Sequence, residues 1–198
     1  MSDTIDDSFK PRQQVNRNRC SMEPHHPTQL VECLRHEQAN AVQLYLLYKG
    51  YHWNVRGPQF HDLHLMFDDH AKQILDTVDP LAERQRILGA PAHYDLDALG
   101  RSSQLAVDAH LPSTGREMVE HLVESHRHII RNLKSGFELS TDLHDPGTAD
   151  LFTRCLVVHE KLEWFLRELL DSRAELIEGL SVGPTSARGH GSTPTGVA

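Results

Sequence analysis

The chain is predicted to be all-α, with four long helices and a short helix in the crossover between the second and the third. Three observations predict it. Apolar residues recur at three-and-four spacing through four long windows, as on amphipathic helices. The gaps between later windows carry Gly57-Pro58, Gly89-Ala90-Pro91 and Asp145-Pro146-Gly147, all breaker combinations. The connection between windows two and three is long, as a bundle needs when it sets two helices parallel. With 198 residues, a single domain is the default, assigned to residues 27–178 between tails at 1–26 and 179–198.

Bulk properties exclude several classes. No window approaches the ~20 apolar residues of a membrane helix. The N-terminus has no apolar signal core, so a cytoplasmic location is expected. Cys20, Cys33 and Cys155 are odd in number and unpaired in spacing, which argues against a disulfide framework. The formal charge of −8 opposes passive nucleic-acid binding and favours cations. The 15 histidines suggest metal handling.

Residues 1–26 are polar and aperiodic, and are read as a flexible tail. Lys10, Arg12, Arg17 and Arg19 are cancelled by Asp3, Asp6, Asp7 and Glu23. Helix one is expected from Pro27-Thr28, with Thr28 as cap, to about Val55. Its core stripe is Leu30, Leu34, Ala41, Leu44 and Tyr48, while His36 and Glu37 suit a polar-face pair better than ligands inside the bundle. Helix two is expected from Gln59 to Leu88, with strain near Pro80. Its stripe is Phe60, Leu63, Phe67, Ala71, Ile74, Val78 and Leu81. Gly89 closes it, and Asp95 to Gly100 suits the short crossover helix.

Helix three begins at Gly115, with Met118, Leu122, Ile129, Leu133 and Phe137 inward. Glu117, His121, Glu124 and His128 align on another face, the spacing of either a metal stripe or a salt-bridged surface. Helix four is expected from Thr148 to Glu178, burying Leu151, Cys155, Val158, Leu162, Phe165 and Leu169. His159 and Glu160 are read as structural. The remainder is rich in Gly, Ser, Thr and Pro, a second flexible tail.

Metal chemistry concentrates between Tyr51 and Arg84. His52, His64, Asp68, Asp79 and Glu83 supply imidazole and carboxylate donors that suit Fe(II), Mn(II) or Zn(II). At ~100° per residue the last four share one stripe of helix two. The pair His64/Asp68 nevertheless sits ~22 Å along the axis from the pair Asp79/Glu83, and metal bonds span only ~2 Å. Either each pair finds partners within its own chain, or the same helix of a second copy runs antiparallel alongside. In the second case a two-fold axis brings the pairs together. No predicted helix carries Glu-x-x-His, the motif of a site inside one bundle, which favours the shared arrangement.

The ordered set His52-Trp53-Asn54-Val55-Arg56-Gly57, Leu63-His64, Asp68, Asp79 and Ala82-Glu83-Arg84 resembles the signature of the Dps family of miniferritins. The similarity extends from Thr28 to Asp171, including His159-Glu160-Lys161 and Trp164. It implies a ferritin-like four-helix subunit, with the small crossover helix at a dimer contact. It also implies a shell of twelve subunits built from two-fold dimers, and ferroxidase sites shared between subunits. Their ligands would be His52, His64, Asp68, Asp79 and Glu83, with Trp53 adjacent. Fe(II) would be oxidised, preferably by hydrogen peroxide, and stored as Fe(III) mineral, with zinc as a possible surrogate metal. Asp68 and Glu83 should bind hardest, with Glu83 reaching toward a second iron position. Asp145 and Asp150 match acidic positions of an iron-entry pore, although an aspartate beside a helix start also serves as a cap. The tail lacks the family's lysine-rich DNA-binding pattern, so DNA binding is doubtful. The rival classes are a DNA-compacting nucleoid protein and a zinc or manganese buffer without redox chemistry.

Overall fold

The computed structural model describes residues 27–107 and 110–171. Both expected tails, and the expected end of the last helix beyond Asp171, lie outside the described residues. The elements are α1 (Pro27–Asn54), α2 (Phe60–Ile87), α3 (Leu96–Ser102), α4 (Gly115–Asp142) and α5 (Pro146–Leu170). Among the described residues there is no strand. The hairpin α1–α2 packs against the hairpin α4–α5, and α3 lies against α1. No described helix is long and apolar enough to cross a membrane.

Local chemistry explains the boundaries. α1 starts at Pro27, so Thr28 lies within the first turn and is not the cap expected. Proline fits that first position because its missing N–H is not needed there. α2 runs unbroken through Pro80. Its end is a Schellman turn: Ala90 N donates to Gln85 O, Gly89 N donates to Arg86 O, and Gly89 has φ of 90°. α4 ends in the same way, with Asp145 N on Ser140 O and His144 N on Thr141 O. There the left-handed residue is His144, at φ 56°. Asp95 caps α3 by accepting from Ala98 N. Thr114 and Glu117 form a full capping box at the start of α4. Glu117 is thereby committed to the cap and leaves the metal stripe considered for α4.

The core takes most of the expected stripe residues, including Leu30, Leu34, Leu44, Phe67, Ile74, Leu122, Ile129 and Leu162. Phe60, Phe137, Phe165 and Leu169 do not follow that expectation and are exposed. Near Phe137 the cause is visible. Gly136 faces inward, and the Phe152 ring lies where its Cβ would be, 2.8 Å from that position. α4 therefore presents its glycine to the core and turns Phe137 out. Leu166, fully buried, takes the interior place that Phe165 was expected to hold.

Glu37 is a further correction. It is 4% exposed, inside the bundle and not on a polar face. Asn40 Nδ2 donates to its Oε1, while its Oε2 has no partner. Burial raises its pKa to about 8, against the lowering effect of Asn132 and Asn40, so it is a neutral acid at pH 7.

Candidate metal centre

His52 and Trp53, the two residues that begin the centre, lie in the last turn of α1, which ends at Asn54. The chain turns at Gly57, with φ 108°, and α2 returns antiparallel. This places His64 beside His52, with the two rings stacked at 3.7 Å between centroids. His52 Nδ1 lies 2.7 Å from His64 O, and His64 Nδ1 lies 2.8 Å from His52 O. A carbonyl only accepts, so each Nδ1 carries the proton and each Nε2 keeps its lone pair. Backbone clamping of this kind fixes the tautomer and orientation of metal-binding imidazoles.

Asp68, one turn along α2, is engaged by two ammonium groups. Lys49 Nζ lies 2.7 Å from Oδ1 and Lys72 Nζ lies 2.6 Å from Oδ2. The Lys49 and Lys72 hydrogen bonds hold its carboxyl well below the usual carboxylate range. Lys49 also sits 5.8 Å from the centroid of the Trp53 ring. Asp79 and Glu83 are exposed on the far half of α2. Among the described residues, no three His, Cys, Asp or Glu side chains of one chain converge into a metal-holding group. The fold thus brings together His52 and His64, turns Asp68 toward lysines, and leaves Asp79 and Glu83 at a distance.

Asp145 is 4% exposed and caps α5, accepting from Thr148 N and Thr148 Oγ1. Arg84, the neighbour of Glu83, reaches it at 2.5 Å and also donates to Thr148 Oγ1. Asp150 is exposed and paired with Arg154. His121 of the α4 stripe has both ring nitrogens engaged, Nδ1 with Tyr51 Oη and Nε2 with Ala106 O.

Sequence reasoning missed a buried polar chain through the bundle. Tyr48 Oη meets His70 Nδ1 at 3.1 Å and His126 Nε2 at 2.6 Å. His126 Nδ1 meets His159 Nδ1 at 3.0 Å. Burial holds all three imidazoles neutral, with His70 near 4, His159 near 3 and His126 well below its ordinary value. Their signal was position. His70 precedes Ala71 on the buried stripe, His126 lies between Leu122 and Ile129, and His159 between Cys155 and Leu162.

The model of the ferritin-like domain family matches residues 31–174. DNA protection during starvation protein 1 of Deinococcus radiodurans is 30% identical over 142 residues, covering 72% of this chain and 69% of that protein. The X-ray structure of Dps from Thermosynechococcus elongatus superposes with a TM-score of 0.73 at 36% identity, over 76% of this chain and 95% of that one. A DPS protein from Vibrio cholerae O1, described as a member of a broad superfamily of ferritin-like diiron-carboxylate proteins, gives 0.69 at 28% identity, over 74% and 91%. The chain belongs to the ferritin-like domain family and, within it, to the Dps proteins.

Proposed function

We propose that this protein oxidises Fe(II) and sequesters the product as Fe(III) mineral within a homo-oligomeric shell, a dodecamer built from two-fold dimers. The observation that carries the reading is the clamped pair His52 and His64, whose Nε2 atoms are free to bind metal. Asp68 completes the upper half of the site. Asp79 and Glu83 of a second copy, reached by antiparallel pairing of α2, complete the lower half. A two-fold axis then generates two equivalent sites ~22 Å apart. The similarity to the Vibrio cholerae DPS protein, of the ferritin-like diiron-carboxylate superfamily, supports the same donor chemistry. Imidazole and carboxylate suit Fe(II), with zinc as a redox-silent surrogate.

Hydrogen peroxide is the expected oxidant. Two Fe(II) ions supply two electrons to one peroxide, so no hydroxyl radical is released. Asp150 is the better of the two pore candidates, because its carboxylate is exposed, though paired with Arg154, whereas Asp145 is buried against Arg84. A cytoplasmic location is proposed, with nucleoid association under the DNA-compacting alternative. That alternative draws on the Deinococcus relative, a DNA protection during starvation protein, and the net charge of −8 opposes it. Salt-sensitive gel retardation lost on deleting residues 1–26 would favour it.

Anaerobic Fe(II) loading followed by peroxide tests the main reading on material of measured oligomer mass. Fe(III) absorbance and retained mineral are expected, slowed in Asp68→Ala/Glu83→Ala with assembly intact. Metal uptake without Fe(III) would leave a zinc or manganese buffer instead.

A further inference from the structure

The segment that follows α3 is tied to α4 at two points. His121 Nε2 donates to Ala106 O at 3.0 Å, and Asn132 Nδ2 donates to Gln104 Oε1 at 2.7 Å. The same segment and α4 border an open cavity of about 210 Å³, with Gln104 on one side and Glu124, Ser125, His128 and Arg131 on the other. Its walls are held in place by these ties, as in a pre-formed ligand site.

The ties also decide which atoms the cavity presents. Asn132 Nδ2 donates to His128 Nε2 as well, at 3.2 Å, so the His128 proton sits on Nδ1. Burial, and after it the Arg131 charge, hold this ring below its ordinary pKa, so it is a neutral donor at pH 7. Gln104 spends its carbonyl oxygen on Asn132 and keeps its amide hydrogens. Ser125 gives its hydroxyl hydrogen to His121 O at 2.9 Å and keeps its lone pairs.

Arg131 is the unmatched charge of this face. Arg127, one turn earlier, is shared by Glu124 and Glu163 at 2.8 and 3.1 Å. Among the described residues no carboxylate pairs with Arg131, in a chain whose net charge is −8. A metal ion does not suit the place. The guanidinium repels it, His121 has both ring nitrogens engaged, and His128 has its bare nitrogen on Asn132.

We propose that this cavity binds inorganic phosphate, one ion per chain. Arg131 supplies the charge and a planar fork of donors that matches two phosphate oxygens. The His128 Nδ1–H and the Gln104 amide add neutral donors. Glu124 uses Oε1 on Arg127 and keeps Oε2 for the hydroxyl of hydrogen phosphate. Sulfate has no hydroxyl at pH 7 and sets a bare oxygen against that carboxylate, so Glu124 selects phosphate by repelling its competitor. None of the candidate iron ligands lines the cavity, and the proposal does not depend on the iron chemistry.

The test is titration calorimetry of the assembled, iron-free protein with inorganic phosphate, in buffer free of phosphate and sulfate. Saturation at one phosphate per chain is expected, with sulfate bound more weakly. Arg131→Gln should weaken phosphate binding about tenfold or more, the scale of a lost charge-assisted hydrogen bond. That side chain is exposed, so oligomer mass and unfolding midpoint should match those of the unaltered chain. Glu124→Gln, whose amide donates to either ion, should narrow the gap between phosphate and sulfate. The proposal is overturned by the absence of saturable phosphate binding, by unchanged affinity in a normally assembled Arg131→Gln, or by sulfate bound as tightly as phosphate to the unaltered chain.

Discussion

Arg84 Nη2 lies 2.5 Å from Asp145 Oδ1, joining the residue after Glu83 to the cap of α5. The contact is mostly buried and ties the last turn of α2 to the turn of the second hairpin, at the start of α5. Asp145→Ala strands the guanidinium and two donors of Thr148 at once. A loss of roughly 3–5 kcal/mol is expected, as for other buried pairs broken on one side. Thermal or denaturant unfolding measures it, and a change under 1 kcal/mol, roughly the worth of a surface pair, would contradict the burial described.

The buried histidines set an acid limit. Their folded-state pKa values lie below the ordinary 6.5, so the unfolded chain binds more protons as pH falls. Stability is full above about 6.5 and declines toward 4 and 3. A histidine held near 4 loses roughly 3 kcal/mol by pH 4. Unfolding midpoints between pH 7 and pH 4 should drop steeply, and a flat profile would refute the neutral network.

Glu37 sets an opposite slope. Its folded pKa of about 8 exceeds its ordinary 4.5, so the folded state holds a proton that the unfolded state has released. Its contribution is full below about 4.5 and is lost as pH rises toward 8. Between pH 6.5 and 8.5 the histidine contribution is level, so any decline there is assigned to this acid. Glu37→Gln should flatten that limb in calorimetric scans, while an unaltered slope would place the titration elsewhere.

Lys49 and Lys72 occupy the Asp68 carboxylate that the proposed site needs. Metal binding must displace them. Lys49→Gln should tighten Zn(II) binding a few-fold by titration calorimetry. Unchanged affinity would mean that Asp68 is not a ligand.

His144 holds a left-handed conformation, at φ 56°, where α2 uses Gly89. His144→Gly should add roughly 1 kcal/mol by relieving the side-chain clash. Chemical denaturation reads this directly, and a destabilised variant would point to an unseen role for the imidazole.

Much of the fold was legible along the chain. Leu30, Leu34, Leu44, Phe67, Ile74, Leu122 and Leu162 repeat with the helical period, and period alone selects the buried face. Gly89 closes α2 where the sequence placed the stop, whereas the caps at Thr114 and Asp95 went unread although each acts within a few residues of itself. The order of His52, His64, Asp68, Asp79 and Glu83 was equally visible, as was the axial distance that keeps the pairs of one chain apart.

Contacts across helices were not legible. Glu37 reads as surface until the bundle closes over it, and the buried imidazoles drew no reading as a group because the Tyr48 hydroxyl that joins two of them stands on another helix. The clamping of His52 by His64 spans two helices, and Arg84 finds Asp145 across 61 residues of sequence. Linear periodicity states which way a residue points from its own helix. What stands opposite, and how dry that place is, depends on the approach of neighbours distant in sequence, and that approach decides which groups carry protons.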